Sequence, residues 1–155
     1  MSKSVLIDTN IFLLLVVGLF DSKLISKHKR TMIFNECAFK VLLDYLEKYQ
    51  TFEVTSYSLA EVSNLLEFSG KNGELINFFI NFIEQERIKI SHIPKDNLLN
   101  EKKALSKLGV TDCSILIKSK RVDVLTKDLD LYLAILKRGW RVENFTHLMI
   151  QKGCI

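Results

Sequence analysis

The sequence predicts an α/β protein, a three-layer α/β/α sandwich around a central, mostly parallel sheet of four to five strands. Two patterns lead to this prediction: short β-branched segments alternate along the chain with apolar segments that repeat at helical spacing. Strands separated by helices pair in parallel and are covered by helices on both faces. The 155 residues, of which 48% are hydrophobic and 26% charged, suit a single domain over residues 1–155.

The chain begins with a strand that leads into a buried helix. Val5 to Ile7 is short and apolar, and Asp8 ends it. The apolar run Ile11 to Phe20 predicts a buried helix and is well short of the ~20 residues that a membrane-spanning helix needs. A charged connection follows over residues 21–30, and Asn35 then caps a second helix.

The middle of the chain predicts a strand over Phe52–Thr55, a helix with apolar positions from Leu59 to Leu66, and an inserted loop at Gly70–Gly73. Glu74 to Glu86 predicts a helix with a wide apolar stripe. Core packing is the favoured interpretation of that stripe and a dimer contact is the alternative. Ile88 to Ile90 predicts a third strand.

The last third of the chain continues the alternation and adds two strands. The predicted elements are a lysine-rich helix from Pro94 to Gly109, a short helix over Thr111–Ser119, a strand over Val122–Thr126, a helix over Asp128–Arg138 that Gly139 closes, an edge strand over Trp140–Val142, and a short final helix.

Acidic residues follow the predicted strands at the edge where ligands bind in open α/β sheets. They are Asp8 after the first strand, Glu61 in the helix after the second, Asp112 at the start of the short helix, and Asp128 and Asp130 after the fourth strand. Each has a structural alternative, because Asp and Glu also cap or favour helix starts, and Ser58 to Glu61 fits a capping box. Independent caps, however, need not gather at one edge.

Converging carboxylates would raise one another's pKa, and a divalent cation would relieve the repulsion. An all-oxygen site favours Mg²⁺ or Mn²⁺, and such ions promote phosphodiester hydrolysis. The three histidines and three cysteines lack the spacing of a zinc site. The sequence therefore predicts a Mg²⁺ or Mn²⁺ site, with the choice between one and two ions left open.

Four segments carry a resemblance to a known family and occur in one order: Val5–Asn10, Ser58–Val62, Gly109–Asp112 and Leu125–Leu131. In this order, the sequence resembles the PIN-domain nucleases over nearly its whole length. The resemblance implies a metal-dependent endoribonuclease that hydrolyses RNA. It also implies that the metal-binding and catalytic acids are Asp8, Glu61, Asp112 and Asp128. Asp130 is a further implied metal ligand and could replace Asp128 as the main fourth acid. Asn10 and Thr126 are the implied supporting residues.

Small bacterial members of this family look like VapC-type toxins, which are held inactive by an antitoxin and are often homodimers. The resemblance thus implies an RNA substrate. It also implies two possible protein partners, an antitoxin or a second copy of the chain in a homodimer, and the alternative is a stand-alone enzyme. The connection between the first two helices is longer and more basic than in the compact toxins.

Basic residues form three clusters suited to phosphate contacts, although each could equally be a solvated surface. The clusters are Lys27 to Arg30; Lys118, Lys120 and Arg121; and Lys137, Arg138 and Arg141. The formal net charge is +4 even with the five candidate acids included, so the rest of the chain is strongly basic.

Two other functions compete with a nuclease. A phosphotransferase of the haloacid dehalogenase type also has an Asp after its first strand, but it needs a second Asp two residues on, where this chain has Asn10. A catalytically inactive PIN-like module could hold RNA or a protein without cutting. Three widely spaced cysteines cannot all pair in disulfides, which favours a reducing cytoplasm without membrane association.

Overall fold

The computed structural model describes residues 3–67 and 73–155 and confirms the predicted α/β class. Its five strands form one sheet in the order β3-β2-β1-β4-β5, and every neighbouring pair is parallel. The strands are β1 (Ser4–Ile7), β2 (Thr51–Thr55), β3 (Ile88–Ser91), β4 (Asp123–Thr126) and β5 (Val142–Asn144). The helices are α1 (Thr9–Phe20), α2 (Glu36–Leu46), α3 (Ser56–Glu67), α4 (Gly73–Ile83), α5 (Lys95–Leu99), α6 (Lys102–Leu108), α7 (Val110–Lys118), α8 (Leu129–Lys137) and α9 (Phe145–Gln151).

Side chains of β1 alternate between the two faces of the sheet, as strand geometry requires. Val5 and Ile7 belong to the larger apolar cluster, which includes α1, α2 and α4. Leu6 belongs to a separate cluster with α7 and α8. Helices therefore cover both faces, and the central strand is buried from each side.

Helix α1 is the most deeply buried helix, with every residue from Ile11 to Gly18 buried. This run is uniformly apolar and has no solvent-facing side, whereas Asn10 and Leu19 near the two ends of the helix are exposed. A Cβ at Gly18 would collide with the Phe39 ring of α2. Glycine at this position therefore lets the two helices pack closely.

The apolar stripe of α4 packs into the core as predicted: Leu75, Phe79 and Phe82 are buried, and the Phe82 ring lies 5.8 Å from the Phe12 ring of α1. Ile80 on the same helix stays exposed. The expected loop at Gly70–Gly73 lies outside the described residues apart from Gly73, which begins α4.

Two predicted elements differ from the observed ones. The helix expected from Pro94 to Gly109 is instead α5 and α6, because Glu101 has a non-helical backbone and forms an ion pair with Arg138 at 2.5 Å. The last strand begins at Val142 and not at Trp140, since pairing with β4 starts opposite Val124.

Cys37 and Cys154 form a disulfide, and the buried Cys113 is free. The spacing of the cysteines therefore does not support the prediction of a reducing compartment, because two of them pair across most of the chain. Within residues 3–67 and 73–155, no helix is both long and apolar enough to cross a membrane. This agrees with the expectation for Ile11 to Phe20.

Candidate active site

A pocket of about 670 Å³ opens where the strand order reverses, between β1 and β4. Ligands of open α/β sheets bind at this switch point, at the carboxyl ends of the strands. Four of the five predicted acids line the pocket: Asp8, Glu61, Asp112 and Asp128. They come from four separate segments of the chain and line one pocket.

Asp8 is buried directly after β1, with 6% of its surface exposed. Its Oδ1 accepts a hydrogen bond from the Thr9 backbone N–H at 2.7 Å, and its Oδ2 accepts one from the Thr126 hydroxyl at 2.5 Å. Burial raises the pKa of the Asp8 carboxyl, the two hydrogen bonds oppose that rise, and the charges of Asp128 and Glu61 add to it. Asp8 therefore caps α1 and also faces the pocket.

Thr126 connects two of the acids. Its hydroxyl donates to Asp8 and accepts a hydrogen bond from the Asp128 backbone N–H at 3.0 Å. Asp128 in turn caps α8, because its Oδ1 accepts from the Leu131 N–H at 2.8 Å. The predicted supporting role of Thr126 thus has a structural basis: the fully buried threonine orients one acid and the backbone of another.

Asp112 lies in the first turn of α7 and is partly buried. Burial and, in decreasing order, the charges of Asp8, Asp128, Glu61 and Asp130 together raise the pKa of its carboxyl to about 7. All five contributions act in one direction. At Asp112, unlike at Asp8, no hydrogen bond opposes the rise in pKa.

Glu61 does not fold back onto its own helix, so the capping-box alternative is wrong. Thr55 performs that function, because its hydroxyl accepts a hydrogen bond from the Ser58 N–H at 3.1 Å. The Glu61 Oε1 instead accepts a hydrogen bond from the Thr111 hydroxyl at 2.6 Å. This bond connects α3 to α7 next to Asp112.

The remaining predicted residues lie at different depths. Asn10 lines the pocket, whereas Asp130 does not and acts on it only through its charge on Asp112. Of the two candidates for a fourth acid, Asp128 is the one in the pocket. The Thr9 hydroxyl, which the sequence did not single out, is buried in the pocket wall without a hydrogen-bond partner among the described residues.

Only one of the three basic clusters reaches the pocket, through Arg30. Arg138 forms its ion pair with Glu101, and Arg141 contacts Asp123 at 2.8 Å at the amino end of β4, on the opposite edge of the sheet. Lys118 lies 3.7 Å from Glu53. The prediction that these two clusters contact phosphate at the site is therefore not supported by their positions.

The donor set suits a hard divalent cation, because the pocket presents carboxylate, hydroxyl and amide oxygens and no thiol or imidazole. No three His, Cys, Asp or Glu side chains of residues 3–67 and 73–155 lie close enough to enclose one ion as they stand. Mg²⁺ usually takes one or two carboxylates and completes its shell with water and substrate phosphate. A hydrated Mg²⁺ ion would give the Thr9 hydroxyl a water molecule as a hydrogen-bond partner and would offset the repulsion at Asp112.

Comparison with known proteins adds no assignment: no protein-family model and no curated protein matches this chain.

Proposed function

We propose that this protein is a Mg²⁺- or Mn²⁺-dependent endoribonuclease of the PIN type. The observation that supports this proposal is the convergence of Asp8, Glu61, Asp112 and Asp128 on one pocket at the switch point of the sheet. Four like charges in one place destabilise the folded chain unless a cation balances them. A fold that needed these acids only as helix caps would have no reason to collect them.

The side chains have distinct roles in this proposal. Asp8 and Asp112 are the principal ligands, since Asp8 is buried and oriented by Thr126, and the pKa of Asp112 is raised by burial and by four neighbouring carboxylates. Glu61 and Asp128 complete the acidic wall, and Asn10 and Thr9 offer polar groups to water or substrate. A bound divalent ion would activate water and offset charge on the scissile phosphate.

A cytoplasmic location stays a prediction, and the Cys37–Cys154 disulfide argues against it, because such bonds are rare in a reducing compartment. The VapC-like role, an antitoxin partner and a homodimer stay predictions of the resemblance. The neighbouring gene provides a direct check, because a small reading frame with a DNA-binding N-terminus would support the toxin assignment and its absence would support a stand-alone nuclease.

The proposal is tested by incubating the purified protein with labelled single-stranded RNA in Mg²⁺, Mn²⁺ or EDTA. We expect cleavage that depends on the metal. Asp8→Asn and Asp112→Asn should lower the rate at least about 100-fold, since losing even a residue that supports a metal ligand costs about 10- to 100-fold. Both variants should fold, because each relieves repulsion in the metal-free protein.

Asp96→Asn is the matched control, because Asp96 lies in the first turn of α5, is exposed and does not line the pocket. Full cleavage by either pocket variant would exclude this mechanism. RNA binding without cleavage by the wild-type protein would favour the inactive PIN-like module. A melting temperature that no metal changes would point to the same conclusion.

A further inference from the structure

The inserted connection between α1 and α2, residues 21–35, brings one guanidinium to the acidic pocket. Arg30, Lys27 and Lys29 are all exposed, but of the three only Arg30 lines the pocket. Among the described residues that line the pocket, Arg30 is the single base opposite four acids. Of the basic residues in this connection, Arg30 is thus the one that lies at the acidic pocket.

The backbone around Arg30 is held by both neighbours. Its N–H donates to the Nδ1 atom of His28 at 3.2 Å. The hydroxyl of the fully buried Thr31 donates to the Ile25 carbonyl at 2.7 Å. The Phe34 ring, further along the connection, lies 5.9 Å from the Phe145 ring of α9. The connection is therefore folded against the body of the protein, and the position of Arg30 follows from it.

His28 lies next to Leu65 of α3, the helix that carries Glu61, and its buried Nε2 atom has no hydrogen-bond partner among the described residues. Burial lowers the pKa of the His28 imidazole, and the nearby backbone of Leu65 partly offsets this. The ring is thus neutral, as its acceptance of the Arg30 N–H requires. Leu65 itself lines the pocket, so His28 lies close to the pocket wall.

The Arg30 guanidinium forms no ion pair with any acid in residues 3–67 and 73–155. No carboxylate of the described residues therefore neutralises its charge in an ion pair, although four carboxylates line the same pocket. A phosphate that entered this pocket would be repelled by those carboxylates. A positive charge beside the phosphate would offset that repulsion. A planar guanidinium can hold two phosphate oxygens at once, which a lysine ammonium cannot do.

We infer that Arg30 binds a backbone phosphate of the RNA substrate at the acidic pocket. This inference rests on the proposed nuclease function. It makes the inserted connection a substrate-binding element, and it makes Arg30 a residue that touches substrate without acting as a metal ligand.

Steady-state cleavage of a short single-stranded RNA by Arg30→Ala, Arg30→Lys and Lys23→Ala tests this inference. Lys23 is the matched control, because it is an exposed base in the same connection and does not line the pocket. We expect KM to rise about 10- to 100-fold in Arg30→Ala, the range for losing a hydrogen bond to a charged group, with a smaller rise in Arg30→Lys. Lys23→Ala should match the wild type.

Two further measurements separate a phosphate contact from a structural effect. The salt dependence of RNA binding, measured by fluorescence anisotropy in Ca²⁺, should lose about 0.7 from its logarithmic slope in Arg30→Ala. The shift of melting temperature with Mn²⁺ alone should equal that of the wild type. An unchanged KM and salt slope in Arg30→Ala would overturn the inference and leave the nuclease proposal intact.

If the wild-type protein cleaves no RNA, the nuclease proposal fails and the anisotropy measurement still decides the inference. Weaker RNA binding by Arg30→Ala with a normal Mn²⁺ shift would retain the phosphate contact. Equal RNA binding by all four proteins would eliminate it.

Discussion

At the scale of single residues, the two central acids differ in what surrounds them. Asp8 is the more buried, but hydrogen bonds from Thr9 and Thr126 stabilise its charged form. Asp112 has no such compensation, so burial and four like charges all favour its neutral form. In the metal-free site the charged form of Asp112 is therefore disfavoured without compensation, and a cation would relieve this.

The stability of the metal-free protein should consequently fall as the pH rises. The pKa of Asp112 is about 7 in the folded protein, compared with 3.8 ordinarily. A raised folded pKa favours folding below the lower value, and this contribution is lost as the pH rises to the upper one. In EDTA, urea unfolding should give a lower free energy of unfolding at pH 8 than at pH 5.

Asp112→Asn should reduce this pH dependence, since the substituted amide does not titrate; the remainder comes partly from Asp8, whose pKa is also raised. The Asp96→Asn control should keep the wild-type profile. An identical decline in Asp112→Asn would show that Asp112 does not titrate in this range. Added Mn²⁺ should stabilise the wild-type protein more at pH 8 than at pH 5.

Sequence reasoning found the acids of the pocket but missed the hydroxyl groups of Thr9 and Thr111 beside them. The acids were predictable because they follow strand ends, where sheet topology gathers them. Thr111 was not, because its partner Glu61 lies 50 residues away and only the fold brings them together. Arg30 belonged to a cluster with no feature that distinguished it from Lys27 or Lys29.

At the scale of elements, the start of α7 determines where Asp112 lies. Gly109 ends α6 and precedes α7 with φ of 86° and ψ of 173°, a backbone conformation that is almost confined to glycine. It joins two helices without a longer loop. The three residues that follow it include both Thr111 and Asp112, so the turn sets their positions relative to α3.

Gly109→Ala should therefore destabilise the protein by about 1–3 kcal/mol and weaken metal binding, because the strained backbone would displace the first turn of α7. A Cβ there would meet no atom within 4 Å, so strain and not collision is the cause. Chemical unfolding and Mn²⁺ titration measure the two effects. Gly73→Ala is the control, since Gly73 has ordinary backbone angles and open space at the start of α4. Equal stability of the two variants would contradict this explanation.

Elements were predicted best where a local pattern determined them. The N-cap at Asn35 and the glycine that closes α8 appear as expected, since a cap depends on neighbouring residues alone. The break between α5 and α6 falls at Glu101, which forms an ion pair with Arg138, a residue distant in sequence. Helical spacing of apolar residues carries no information about such a contact.

At the scale of the whole molecule, the central sheet brings the two halves of the chain together, and one covalent bond reinforces them. Asp8 and Glu61 come from the first half, and Asp112 and Asp128 from the second. Cys37, in the first turn of α2, is bonded to Cys154, which follows α9. The site therefore depends on contacts between distant segments, and the disulfide restrains the ends of the same arrangement.

Cys37→Ser should lower the free energy of unfolding of the oxidised protein by about 2–4 kcal/mol, the usual contribution of a native disulfide. The pair is 117 residues apart, so the bond removes much of the freedom of the unfolded chain. Cys154→Ser and the double variant should each lose the same amount, because every one of them breaks one and the same bond. Excess reductant should bring the wild-type protein to the level of the variants in urea unfolding. If the free energies of unfolding of the wild type and Cys37→Ser still differ under reducing conditions, the loss comes from packing at Cys37. If they are equal under oxidising conditions, the disulfide contributes nothing to stability.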